Sequence, residues 1–352
     1  MTQPELDSPE NAPATSSKRR AAVKVIVRLA VGAGVLAFLL LKADVHQLWD
    51  TLRTAKVEYL FAAAGAIFAG LLVSAFRWKA YLDALEMPLP YGTLFRLYFV
   101  GTFFNAFLPT GVGGDAYKAV RLGKDSASMA PAFASVFLDR FAGIVGMAGI
   151  GLVSSAYLIA AQKKDIHGGY RVPLIALVLS AGIFSAAAVL LWGGERLLGK
   201  GRLIKHGGIG GRIRRATRQV HAAARHPDAA ARGYLFGVIF QALVFVYHVM
   251  LSRALGITKV PIMAFASIVV LSSLATMIPL SINGLGFREG VYIWALGRYG
   301  VPHERALAFA LLVLALLLLS SLAGGVVYVF FGGEVQRPGA RHSTVGSAST
   351  PG

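Results

Sequence analysis

FNAFLPTGVGGDAYKAVRLGK, residues Phe104–Lys124, places a proline, four glycines, an aspartate and three cations inside a chain that is otherwise strongly apolar. The 352-residue sequence is 56% hydrophobic and only 15% charged, with a mean hydropathy of +0.62. That composition excludes an ordinary soluble domain and calls for helices that face lipid or each other. A non-helical turn inside hydrocarbon leaves backbone amides without partners unless protein or a water-filled cavity covers it. A broken apolar segment with charge at the break therefore marks a cavity.

Working outward, six apolar runs are long enough to cross a bilayer: 23–41, 57–76, 131–161, 172–192, 234–254 and 304–331. The first follows Lys18, Arg19 and Arg20 like a signal peptide, but it is too long and has no convincing cleavage site, so it reads as an uncleaved anchor. Two further apolar regions, 93–122 and 262–297, are each interrupted near the middle by Pro and Gly. If each crossed once, Arg121 and Lys124 would leave on the side opposite to Arg77 and Lys79. Folding each back on itself as a re-entrant hairpin removes that conflict.

The connector 193–233 then lies inside with ten Lys and Arg residues against Glu195 and Asp228, a strong orientation signal. The sequence predicts a multi-pass inner (plasma) membrane protein with both termini cytoplasmic. Its parts are a disordered tail over 1–20, a first membrane repeat over 21–192, the basic connector, the rest of the second repeat over 234–332 and a disordered tail over 333–352. The net charge of +18 is spread over short segments between apolar runs, which points to topology and anionic lipid rather than to nucleic acid. With no cysteine, thiolate metal sites and cysteine nucleophiles are excluded.

The chain also repeats its plan. Pro109, a glycine cluster, Asp115 and then Asp139-Arg140 at an apolar span are echoed by Pro279, Asn283-Gly284-Leu285-Gly286, Arg288-Glu289 and then Glu304-Arg305 at another. Each half has three crossings and one hairpin, so the second half must be inverted relative to the first. The expected fold is an all-α polytopic membrane protein of six spans plus two re-entrant broken-helix hairpins in an inverted-topology repeat.

At the first break, a helix restarting near Gly113 offers free N–H groups and a positive dipole end, suited to an anion such as a lipid phosphate. Asp115 has two readings, an N-cap for that helix or a group used in proton coupling or headgroup contact. Arg288-Glu289 is either a local ion pair or part of the second hairpin's site. Arg28 snorkels, and His248 in the fifth span is a packing or hydrogen-bonding residue. GVGGDA only loosely matches a dinucleotide fingerprint, because no βαβ unit surrounds it, and there is no GK[ST], HExxH or GxSxG. No cofactor or metal is expected.

FNAFLPTGVGGDAYKAVRLG, the later SVFLDRFAG and IPLSINGLGFREGVYIWAL resemble the signatures of the lysylphosphatidylglycerol synthase transmembrane-region family, the flippase-like membrane domain of the multiple peptide resistance factor. The resemblance covers roughly residues 20–332. It implies movement of a lipid or lipid-linked molecule between leaflets, and it points to Asn105, Pro109, Gly111, Gly113, Gly114, Asp115, Arg121, Asp139, Arg140, Pro279, Gly284, Gly286, Arg288 and Glu289. The bifunctional members carry a cytoplasmic transferase domain after the membrane region, which this sequence is expected to lack. The leading expectation is a translocase for an anionic or zwitterionic lipid rather than an enzyme. The alternatives are a membrane enzyme that modifies lipid headgroups and a subunit that recruits a separate cytoplasmic lipid-modifying enzyme.

Overall fold

The computed structural model describes residues 14–108, 112–124, 129–161, 170–188, 227–277 and 280–331. Every α-helix among them follows from an apolar run or from the flank of one: α1 (Ala14–Leu41), α2 (Val45–Arg53), α3 (Val57–Ala84), α4 (Tyr91–Phe107), α5 (Gly113–Gly123), α6 (Ala130–Ala161), α7 (Arg171–Ala188), α8 (Pro227–Ala254), α9 (Ala264–Met277), α10 (Phe287–Gly297) and α11 (His303–Phe331). Among the described residues no strand occurs. Pro109, Gly111, Pro279, residues 193–226 of the connector and most of both tails lie outside the described residues, while α1 begins at Ala14, inside the stretch read as the N-terminal tail.

Helices α3, α6, α7, α8 and α11 are each long and apolar enough to cross a membrane. A sixth candidate is α1 counted together with α2, which turns away from it by 92°. Helix α3 continues eight residues beyond the predicted apolar run, because hydropathy reports where lipid contact ends and not where the helix does. Its last turns bury Arg77, Trp78, Tyr81 and Leu82.

Both predicted breaks are real, and each joins two helices that pack side by side. In the first, α4 ends at Leu108, whose extended ψ of 139° is the conformation a following proline favours. Helix α5 returns along α4 so closely that a Cβ on Gly114 would overlap the Gly101 carbonyl. In the second, Asn283, Gly284 and Gly286 take φ of 50°, 72° and 82° in the turn between α9 and α10. A Cβ on Gly286 would also lie 2.8 Å from the Gly32 carbonyl, so this turn seats directly on α1.

Helices α3 and α8 run antiparallel in the most extensive helix contact, from Lys56 N–H donating to the Ala254 carbonyl (3.0 Å) at one end to Tyr81 against Gly233 at the other. The larger apolar core joins α8, α9, α10 and the first turns of α11, around Phe265, Tyr292 and Phe309. A second core around Trp78, Leu94, Leu97 and Leu122 ties α3 to the first hairpin and α6. Close approaches at Gly324 on Phe99 and at Gly146 on Gly237 give the van der Waals contact that holds helices together where lipid removes the hydrophobic drive.

Candidate functional site

A chain of five charged side chains joins the first hairpin to α3 and α6. Arg77 on α3 donates from Nε to Asp139 on α6 at 2.8 Å, and both are almost completely buried. Lys118 on α5 lies 3.8 Å from the other Asp139 oxygen and 3.2 Å from Asp115. Arg140 closes the chain, donating from Nε to Asp115 at 2.6 Å. The Tyr98 hydroxyl adds a long 3.5 Å bond to Asp139. The Lys118 ammonium sits 4.6 Å over the Tyr98 ring and 5.1 Å over Trp78. Burial of Arg77, Lys118 and Asp139 is tolerated because each has a partner of opposite sign.

Asp115 is therefore not the N-cap that one reading made it. Val112 holds the cap position, no side chain caps α5, and Asp115 lies inside the first turn with its carboxylate drawn sideways to Arg140 and Lys118. The Gly114 amide is satisfied instead by Asn105, whose Oδ1 accepts its N–H at 2.9 Å. Gly113 opens α5 against Leu108. Arg121 stands apart from the charge chain, with its guanidinium beside Tyr117 and its buried Nε without a hydrogen-bond partner.

In the second hairpin, Arg288 donates from Nε (3.0 Å) and Nη2 (2.7 Å) to one oxygen of Glu289, and the other oxygen accepts the Gly286 N–H at 2.6 Å. Glu289 thus caps α10 and holds Arg288 at once, so the local-pair reading of these two residues is correct and incomplete. Arg288 and Asn283 also line a cavity of about 310 Å³, together with Leu29 of α1, Ser321 of α11, and Ala106 and Phe107 from the end of α4. Both hairpins border this space, but the first reaches it through the end of α4 and not through Asp115. Behind the turn, the Tyr292 hydroxyl donates to His248 Nε2 at 2.7 Å while His248 Nδ1 donates to the Val244 carbonyl at 2.8 Å.

A larger, apolar groove of about 690 Å³ runs between α6, α7, α8 and α9, walled by Gly149, Val153, Tyr157, Phe184, Tyr234 and Phe245. Its α6 wall runs from Gly146 to Tyr157, about 16 Å at a helical rise of about 1.5 Å per residue.

Sequence reasoning missed Arg77, read only as an orientation marker, and the central position of Lys118. A signal for Arg77 was present. Among the buried positions of α3, Ala63, Ala66, Ile67, Gly70, Ser74, Arg77, Trp78 and Tyr81 recur at helical spacing, so the packed stripe runs straight through the arginine. For Lys118 only the i−3 spacing to Asp115 on its own helix was legible, because Asp139, Tyr98 and Trp78 come from three other helices.

Comparison with known proteins agrees with this architecture. The family described as "Lysylphosphatidylglycerol synthase TM region" matches residues 25–325. A "UPF0104 membrane protein" of Methanothermobacter thermautotrophicus is 25% identical over 332 residues, covering 89% of this chain and 97% of that protein.

Proposed function

Because the chain belongs to the lysylphosphatidylglycerol synthase TM region family, we propose that it is a lipid translocase, moving an anionic or zwitterionic phospholipid or lipid-linked molecule between leaflets. The observation that carries this reading is the cavity bordered by both broken hairpins, apolar except for Arg288, Asn283 and Ser321. A lipid phosphate needs a cation or free N–H groups in a space whose walls otherwise accept acyl chains, and the cavity has that composition. The long apolar groove has the dimensions of one acyl chain over half a bilayer's hydrocarbon thickness. Asn105, Gly113, Gly114, Asp115, Arg121, Asp139, Arg140, Asn283, Gly284, Gly286, Arg288 and Glu289, with Pro109 and Gly111, make up the proposed substrate path.

The proposed architecture is an inverted repeat with both termini cytoplasmic. Matched contacts support it: α4 packs on α11 as α9 packs on α6, α5 on α6 as α10 on α11, and α3 against α8 as its own counterpart. The ten-cation connector supports the orientation. A carrier is favoured over a headgroup-modifying enzyme because the buried carboxylates are engaged by cations, Asp115 and Asp139 in the charge chain and Glu289 with Arg288.

Purified protein in liposomes containing fluorescent phosphatidylglycerol, lysyl-phosphatidylglycerol or phosphatidylethanolamine tests this through the fraction of label that a membrane-impermeant quencher reaches. The expected result is exposure of the inner-leaflet pool of at least one lipid, lost in Arg288→Gln. Movement no faster than in protein-free liposomes for every lipid would refute the reading.

A further inference from the structure

The charge chain of the first hairpin does not balance. Arg77 pairs with Asp139 at 2.8 Å and Arg140 with Asp115 at 2.6 Å, and the Lys118 ammonium shares both carboxylates at 3.8 and 3.2 Å, so three cations share two anions and one positive charge is in surplus. Lys118 is 3% exposed, and its head is closed in by Asp115 on its own helix, Asp139 and Arg140 on α6, Tyr98 on α4, and Trp78 with the Asp139-bound Arg77 on α3. Of the three cations, only Lys118 can give up its charge, because a guanidinium keeps its proton in a protein and an ammonium need not. Release takes the chain from a net charge of +1 to zero and leaves two complete Arg–Asp pairs. The exit is also present: Asp115, 3.2 Å from Lys118, is 12% exposed, and its partner Arg140 is 49% exposed.

We infer that Lys118 is a proton-exchange site that couples movement of a lipid bearing a phosphodiester monoanion to the proton gradient; this rests on the translocase reading above. In the step, Lys118–NH3⁺ passes one proton to Asp115 and from there to water, leaving Lys118–NH2. The reverse step restores the surplus charge. A charged Lys118 favours a nearby anion, and by linkage a bound anion favours the charged Lys118 by the same factor. Lipid and proton then travel together, one of each, without net charge movement.

The test uses the full chain in phosphatidylethanolamine liposomes doped with fluorescent phosphatidylglycerol, under an imposed gradient of about one pH unit. For one proton per lipid, that gradient is worth a factor of roughly ten in the steady-state leaflet distribution, with accumulation on the alkaline side. This ratio does not depend on the rate, so impaired variants remain informative. Wild type is expected to approach tenfold, and Lys118→Arg and Lys118→Gln to stay near an even distribution. If the variants redistribute lipid like wild type, or if wild type moves lipid without regard to the gradient, the proton site is wrong while the translocase reading stands.

If wild type moves no phosphatidylglycerol at all, the translocase reading fails for that lipid, and a second measurement decides the proton site. Phosphatidylglycerol is added to purified protein in unbuffered detergent containing a pH dye. Proton uptake by wild type that is lost in both variants supports the site; equal uptake by all three, or none by wild type, overturns it.

Discussion

Replacing Asp139 by Asn removes one negative charge from the middle of the buried chain and keeps the shape of the side chain. Asp139 is 1% exposed, Arg77 4% and Lys118 3%, so neither cation beside the substitution turns to water for compensation. The variant leaves three cations with one carboxylate, Asp115, which reaches only Lys118 and Arg140, and turns an amide group toward Arg77 or Lys118 where an acceptor is required. Losing the 2.8 Å charged hydrogen bond to Arg77 costs roughly 1.5–3 kcal/mol. Stranding a buried charge raises the loss to about 3–5 kcal/mol.

The assay is reversible unfolding by SDS in mixed micelles, followed by tryptophan fluorescence, to which the fully buried Trp78 beside this site contributes. Arg77→Met alone strands Asp139 less severely, because Lys118 still faces it at 3.8 Å. The pair Arg77→Met with Asp139→Leu removes both charges and fills the space, and is expected to recover most of the loss of Asp139→Asn. A coupling within the range of about 0.5–3 kcal/mol between positions 77 and 139 is expected in the corresponding double-mutant cycle. If Asp139→Asn unfolds within about 0.5 kcal/mol of wild type, or the two substitutions simply add, the buried pair does not hold α6 to α3.

Gly114→Ala is expected to cost at least about 1–3 kcal/mol in the same assay, because its Cβ meets the Gly101 backbone, whereas Gly290→Ala, with open space around it, is neutral or slightly stabilising; equal effects would contradict the tight α4–α5 contact. Cysteines placed at Ala106 and Leu285 in this cysteine-free chain are expected to crosslink through a short bis-maleimide across the cavity both residues line, and failure to do so with the fold intact would remove the shared space. Asp44, outside the spans, caps α2 by accepting the Gln47 and His46 N–H groups, and these bonds hold its carboxyl below the usual carboxylate range. A depressed folded-state value means that its contribution is present above the ordinary carboxylate range and lost as pH falls through the depressed value. NMR titration of the Asp44 carboxyl is expected to show this, and an ordinary midpoint would refute the cap.

Much of this molecule was legible in one dimension. The apolar runs named every long helix, since a bilayer demands a minimum length of apolar residues wherever they pack. Pro109 and Pro279 with the glycines beside them announced both breaks, because proline restricts the residue before it and a left-handed turn needs glycine or asparagine. Asp115, Asp139 and Arg140 stood out as charges in apolar surroundings, but neither their pairing nor the roles of Arg77 and Lys118 was visible. Asp115 had two readings in the sequence, a helix cap or a functional charge, and the fold set the cap aside. An ion pair is decided by distances between helices, and residues 77, 98, 118 and 139 sit on four of them. The cavity was likewise foreseen as a consequence of the breaks, while its walls were not, because Leu29, Ala106 and Ser321 look like ordinary lipid-facing residues until α1, α4 and α11 are brought around the second turn. The long apolar helices and their breaks were written in the sequence, while α2, in a stretch read as a loop, was not; packing set which charges meet, because burial in a low-dielectric interior makes each of them depend on partners that only the assembled helices supply.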